Sequence, residues 1–456
     1  MGSVQSVCSF ILLRPPLFCG CEKCGLIVDP IWTTNLSNMA KGKKNLVSTI
    51  GPGILVAATG VGAGDLATGA FTGTKLGLAI LWAVVLGAFF KFVLNEGLTR
   101  WQLATGDTLL EGAMSRFGRP AQYGFLVYFL AWSFMVAAAL MSACGVAAHA
   151  IFPLYHDPST GKITYGIVLS LIGAALVRLG GYRLFEKVMN VCIGLMFVTV
   201  VVTAVLLKPS WGKLMAGLLW PTIPQFGAEG LAWTIALMGG VGGTVTVLCY
   251  GYWIREKERF NDDDLRVCRI DLAIAYAMTA LFGLAMVVIG STIQVEGSGA
   301  TLVIKLADKL VQEVGLIGKW AFLLGAWGTV FSSLLGVWQS VPYLFADLWG
   351  MMYEGQLPKK RSVDTHSKFY RWYLYAIATI PMVGLWVGFA NMQKLYAIVG
   401  ALFIPMLALT LLLLNGRAKW VGERYRNHPL TSIILIVILL FFLVVGWLTI
   451  GNVLGF

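Results

Sequence analysis

Apolar runs of about 20 residues, enough to cross roughly 30 Å of hydrocarbon at 1.5 Å of rise per residue, recur along almost the whole chain. Eleven are read at 47–74, 76–100, 122–151, 163–179, 184–207, 228–254, 270–292, 317–348, 369–390, 393–415 and 430–454. The pattern predicts an all-α polytopic membrane protein with about 11 transmembrane helices. Only 12% of residues are charged, against roughly 25% in an ordinary soluble domain. The intervals between runs leave no room for a soluble domain of any size.

Basic residues assign the sides. From a cytoplasmic start, 25 of the 34 Lys and Arg fall on the cytoplasmic side and eight outside, with Lys91 inside a span. This positive-inside bias predicts a cytoplasmic N-terminus in a plasma (inner) membrane. Anionic headgroups account for the net charge of +12. The lipid bilayer is therefore the expected partner, and neither nucleic acid nor an obligatory protein partner is called for.

Residues 1–46 read as a cytoplasmic arm. Its Cys8, Cys19, Cys21 and Cys24 lack the second well-spaced pair of a zinc knuckle. The stretch from Met39 looks like a natural start, so 1–38 read as an upstream start artefact and not as a secretory signal. Cys144, Cys192, Cys249 and Cys268 lie in or near spans and imply no disulfide framework. No cofactor is expected.

Two glycine clusters combine density with polar neighbours: Gly60, Gly62 and Gly64 before Asp65 in span 1, and Gly239, Gly240, Gly242 and Gly243 before Thr244 in span 6. Each glycine costs a helix about 1 kcal/mol relative to alanine, so helix breaks are expected at Gly60, Gly64, Gly239, Gly240 and Gly242. Close packing through small residues is the alternative for either cluster alone. Spans 1 and 6 open two consecutive five-span units, and an odd number of spans inverts the second. Interrupted helices at matching places in inverted halves point to a transporter's midplane site. The expected organisation is 47–207 as the first five-helix repeat, 228–415 as the second, inverted one, and 430–454 as an extra C-terminal helix.

Gly51-Pro52-Gly53-Ile54-Leu55, Leu103-Ala104-Thr105-Gly106-Asp107-Thr108-Leu109 and Gly243-Thr244-Val245 together resemble the natural resistance-associated macrophage protein (Nramp) family of proton-coupled divalent metal transporters. The resemblance runs from about Met39 to Asn415 and implies a LeuT-like 5+5 inverted repeat with broken helices 1 and 6. The family's Asp-Pro-Gly-Asn motif aligns with Gly62-Ala63-Gly64-Asp65, and its Met-Pro-His motif with Thr246-Val247-Leu248. Every side-chain ligand of the family is thus replaced. That departure is similar to the Nramp-related magnesium transporters and implies a secondary transporter of a hard divalent ion, magnesium or manganese.

The ligands this alignment leaves are Asp65, Thr244, Thr246 and the carbonyls around Gly62 and Gly243, all hard oxygens suited to such ions. Asp65 has a plainer reading as the N-cap of a half-helix, and Thr246 as a threonine bonded to its own backbone. In span 2, Lys91, Asn95 and Glu96 are candidates for gating or charge compensation. Lys91 either snorkels or pairs with Glu96, or it neutralises Asp65 in the empty state and stands in for a coupling cation. The four histidines, His149, His156, His366 and His428, lie in loops or at span ends and supply no midplane proton relay. Asp271 and Asp347 read as solvated at cytoplasmic span ends.

A carrier of an amino acid or small organic anion is the nearest rival on the same architecture, followed by a passive channel or a non-transporting relative. An enzyme is not expected: there is no His-Glu-x-x-His, no Gly-x-Ser-x-Gly and no carboxylate pair within the spans.

Overall fold

The computed structural model describes residues 61–454 apart from 180–181, 225–226, 258, 261–262, 295–298 and 355–366. The Gly51–Leu55 segment and the N-terminal cysteines lie outside these. Two π-helical turns, Val61–Thr68, lead into α1 (Gly69–Leu76). There follow α2 (Leu81–Thr105), α3 (Leu109–Ile151), α4 (Pro158–Leu179), α5 (Tyr182–Leu206) and a short α6 (Trp211–Leu219). The second half comprises α7 (Ala228–Gly240), α8 (Cys249–Glu256), α9 (Asp264–Gly290), α10 (Leu302–Trp349), α11 (Lys368–Thr379), α12 (Phe389–Ala401) and α13 (Phe403–Asn415). A short α14 (Ala418–Tyr425) precedes α15 (Pro429–Leu454).

Among the described residues, eight helical stretches are long and apolar enough to cross a membrane, or nine with the bent pair Ile193–Leu206 and Trp211–Leu219. The difference from eleven has local causes. Expected spans 1 and 2 form one helical stretch, Gly64–Thr105, yet Gly64 and Gly87 abut the same part of α7, at Gly240 and Met238. The chain must therefore turn back between them, and Gly77 (φ +65°) is where it can do so. The ninth expected span breaks after α11 into a 3-10 segment, Ile380–Trp386, with Pro381 in its first turn.

The third and eighth expected spans are longer than the apolar runs and carry the same elbow. Helix α3 is kinked at Gly118 (φ 76°, ψ −172°) and α10 at Gly315 (φ 78°, ψ −170°). One short amphipathic helix precedes the span in each half. Helix α3 starts on a capping box, where Thr108 Oγ1 accepts from Glu111 N and Glu111 Oε2 accepts from Thr108 N. Helix α4 starts on Asp157 and Pro158, with the Asp157 carboxylate accepting from Ser159 N and Thr160 N. Helix α15 exposes Leu430, Ile433, Val437, Leu440, Val444 and Trp447 along its length, as a peripheral lipid-facing helix does.

The most buried ion pairs tie α2, α3, α8 and α9 together. Glu96 is held by Arg100 (2.8 Å) and Arg269 (2.6 Å), and Glu111 by Arg255 (2.5 Å). Asp271 and Asp347, expected to be solvated, are buried: Asp271 pairs with Arg259 at 3.2 Å, and Asp347 accepts from the Tyr252 hydroxyl. A buried carboxylate needs such partners, and residues distant in sequence supply them.

Candidate functional site

Helix α7 ends because Gly242 and Gly243 follow it. Their φ values, +71° and +88°, are ones that L side chains rarely adopt. The chain leaves the helix at Val241 and resumes as one 3-10 turn, Val245–Leu248, before α8. The break in span 6 thus lies later than the glycine density suggests, since Gly239 and Gly240 are the last two residues of α7. Close packing explains Gly239 and Gly64, whereas a Cβ on Gly240 would meet only ordinary contacts at 3.6 Å and beyond. A Cβ on Gly239 would lie 2.5 Å from Ala401 Cβ, and one on Gly64 would lie 2.4 Å from the Gly240 carbonyl oxygen. Gly62 and Gly64 fall within the π-helical turns, and Gly60 lies outside the described residues.

Lys91 reaches the break from α2. Its Nζ donates to Gly239 O at 3.0 Å, to Val241 O at 2.9 Å, and to Gly243 O. An ammonium has three N–H donors and no acceptor, so three backbone carbonyls fill its capacity. The side chain is 1% exposed. Burying a charge costs several kcal/mol, and charge-assisted hydrogen bonds, each contributing about 1.5–3 kcal/mol, offset that cost. Neither snorkelling nor a pair with Glu96 occurs: Lys91 is buried with its donors on the three carbonyls, and Glu96 is held by Arg100 and Arg269.

Asp65 lies in the π-helical turns and is fully buried. Its Oδ1 accepts from the Gly242 N–H at 3.3 Å, and its Oδ2 has no hydrogen-bond partner. Asp65 lies within helical turns that run on into α1, Thr68 at the junction being helical too (φ −66°, ψ −41°), so Asp65 engages the break in span 6 and caps no half-helix. Lys91 makes no hydrogen bond to this carboxylate, its donors being held by the carbonyls.

Asn95 is one turn from Lys91. Its Nδ2 donates to the Tyr276 hydroxyl at 2.6 Å, and its Oδ1 is unpartnered. Tyr276 packs against Gly242, where a Cβ would lie 2.7 Å from its ring, and Thr279 lies beside them with an unpartnered Oγ1. The sequence reading missed Tyr276 and Thr279. The available signal was a pair of polar groups at i and i+3 on one face of an apolar span.

The two threonines after the break differ. The Thr244 hydroxyl accepts from Trp132 Nε1 at 2.8 Å, and Gly400 packs against its methyl, so its side chain anchors the break to α3 and α12. Thr246 sits in the 3-10 turn with its hydroxyl against Gly243. The groups brought together are one carboxylate, an amide oxygen, hydroxyls, backbone carbonyls and a fixed ammonium. No group of three or more His, Cys, Asp and Glu side chains is gathered among the described residues.

Comparison with known proteins adds the following. A family model described as natural resistance-associated macrophage protein-like matches residues 53–451. The chain is 25% identical over 267 residues to the divalent metal cation transporter MntH of Verminephrobacter eiseniae, a match covering 56% of this chain and 58% of that protein. It is 26% identical over 371 residues to the divalent metal cation transporter MntH 1 of Pseudomonas aeruginosa, covering 77% and 79%. The crystal structure of the Eremococcus coleocola manganese transporter with an aromatic bis-isothiourea compound aligns at a TM-score of 0.63 and 18% identity, covering 91% of this chain and 94% of that one. The fold is the LeuT-like one.

Proposed function

Because this chain belongs to the natural resistance-associated macrophage protein-like family, whose matched relatives are named as divalent metal cation transporters, we propose that it carries a hard divalent cation, magnesium or manganese, by alternating access. The observation that carries this reading is the buried Asp65 Oδ2, an acceptor left without a partner beside the span 6 break. Asn95 Oδ1 and Thr279 Oγ1 are unpartnered in the same neighbourhood. Buried polar atoms ordinarily find partners, and three open oxygens suit a ligand that supplies positive charge. Hard oxygens favour magnesium or manganese over softer metals, and a single carboxylate suits an ion that keeps several of its waters.

The bound ion sits on Asp65, with Asn95 and Thr279 as further ligands and with the carbonyls near Gly62 and Gly243 and the Thr246 hydroxyl completing the set as the helices move. Thr244 holds the break in place through Trp132 and Gly400. Residues 47–207 and 228–415 serve as the two inverted repeats, a reading supported by the matching elbows at Gly118 and Gly315. The bias of basic residues toward one side supports a cytoplasmic N-terminus, and a plasma membrane is the location proposed.

The rival cargo, an amino acid or small organic anion, draws on the presence of Lys91. It counts for less because the unpartnered groups beside the break are oxygens, Asp65 Oδ2 among them, which would repel an incoming carboxylate. Uptake into proteoliposomes of magnesium, manganese and calcium, with Asp65→Asn alongside, tests the reading. Saturable uptake of one of them, reduced at least tenfold in the variant, is expected. Undiminished transport by Asp65→Asn would refute the cation site.

A further inference from the structure

The three carbonyls around Lys91 form a cation site in their own right. Gly239, Val241 and Gly243 converge on one point because the chain leaves the helix between the first and second and turns through positive φ at Gly242 and Gly243. Without a cation, three buried carbonyl oxygens would point at one another with no donor, an arrangement whose desolvation cost is left uncompensated. The ring needs an occupant that supplies donors or positive charge, and Lys91 Nζ supplies the donors.

We propose that this ring is a monovalent-cation site whose resident is the Lys91 ammonium, so that Lys91 is a tethered cation alternating with cargo at the span 6 break. The proposal rests on the transport reading for its second half. Held in the ring, the ammonium fixes the break and balances Asp65 while the carrier is empty. Arrival of a divalent ion beside Asp65 disfavours the nearby ammonium and weakens its hold on the carbonyls. The return of the empty carrier then needs no second ion from solution, because the side chain refills the ring.

The first measurement is thermal unfolding of purified parent, Lys91→Ala and Lys91→Met in detergent. Sodium, potassium, propylammonium and choline chlorides are compared at equal ionic strength. Propylammonium reproduces the part of the side chain that Lys91→Ala removes. The expected result is a parent indifferent to the choice of cation and a Lys91→Ala protein of lower Tm that recovers at least half its loss, saturably, in propylammonium. Lys91→Met keeps most of the stem, so it should respond to sodium or potassium and not to propylammonium. If neither variant responds to any of these cations, the ring is not a cation site and the proposal is overturned. Should Lys91→Ala fail to fold, Lys91→Met decides alone.

The second measurement is divalent uptake into proteoliposomes. Lys91→Met should show a lower KM, from loss of the competing charge, and a Vmax at least fivefold lower in choline that potassium or sodium restores. The parent should be insensitive to the exchange. A Lys91→Met protein with parent-like KM and no such dependence would leave Lys91 a structural anchor and overturn the alternation. Absence of divalent uptake by the parent would refute the transport reading, while the unfolding result would still decide the cation ring.

Discussion

Gly64 and Gly240 cross so closely that a methyl group on Gly64 would stand 2.4 Å from the Gly240 carbonyl oxygen. The obstacle is backbone, so no side chain can swing away to make room. Gly64→Ala should therefore lower stability by about 1–3 kcal/mol, the usual cost of overpacking, and reduce uptake at least tenfold by separating Asp65 from Gly242. Thermal unfolding and uptake together check this, and parent-like values in both would contradict the close crossing.

Thr279→Val should separate stability from binding. Removing a buried hydroxyl without a partner leaves the protein unchanged or more stable by about 1 kcal/mol. Loss of a cargo ligand raises KM, with a threefold to tenfold increase expected. A variant less stable than the parent, with unchanged KM, would give the hydroxyl a structural role instead.

Glu111 joins three tasks: it closes the α3 capping box, takes two hydrogen bonds from Arg255, and is itself almost wholly buried. Glu111→Ala leaves Arg255 without its carboxylate and should cost about 3–5 kcal/mol. Arg255→Ala should cost less, because Glu111 keeps its bond from Thr108 N. A double-mutant cycle on thermal unfolding measures the coupling, expected at about 1–3 kcal/mol.

The start of α4 should loosen in acid. The Ser159 N–H, and then the Thr160 hydroxyl and N–H, hold the Asp157 carboxyl below its ordinary value of 3.8. A lowered native value means that the carboxylate stabilises the fold above the unfolded pKa, and that this contribution fades as pH falls through the native one. Hydrogen exchange at Ser159 and Thr160, corrected for intrinsic rates, should accelerate below about pH 4. Asp157→Asn should lack this pH dependence.

Much of the fold is legible in sequence because lipid imposes a length and a polarity on each helix, and Thr108 and Glu111 announce the start of α3 at fixed spacing. Glycine density near residue 240 located the broken helix but not the break. Composition cannot distinguish Gly239, which is glycine because Ala401 is close, from Gly242, which is glycine because φ is positive. The partners of Lys91 lie 148 to 152 residues away, so no local pattern reveals them. Spacing makes Glu96 available to Lys91, but Arg269, 173 residues on, holds it. A threonine in an apolar span usually bonds its own helix and a tyrosine is ordinarily read as core, so only the packing of Tyr276 and Thr279 against Gly242 distinguishes them.

The formal charges of Asp65 and Lys91 sum to zero, so an empty carrier with both inside presents no net charge at the break to the membrane voltage. A divalent passenger adds two. Each charge moved through the full field is worth about 2.3 kcal/mol per 100 mV, so an interior-negative membrane would draw the loaded form inward and leave the empty form free to return. Transport of this kind is a current: it should grow with voltage, reverse with it, and need no partner ion to set its direction.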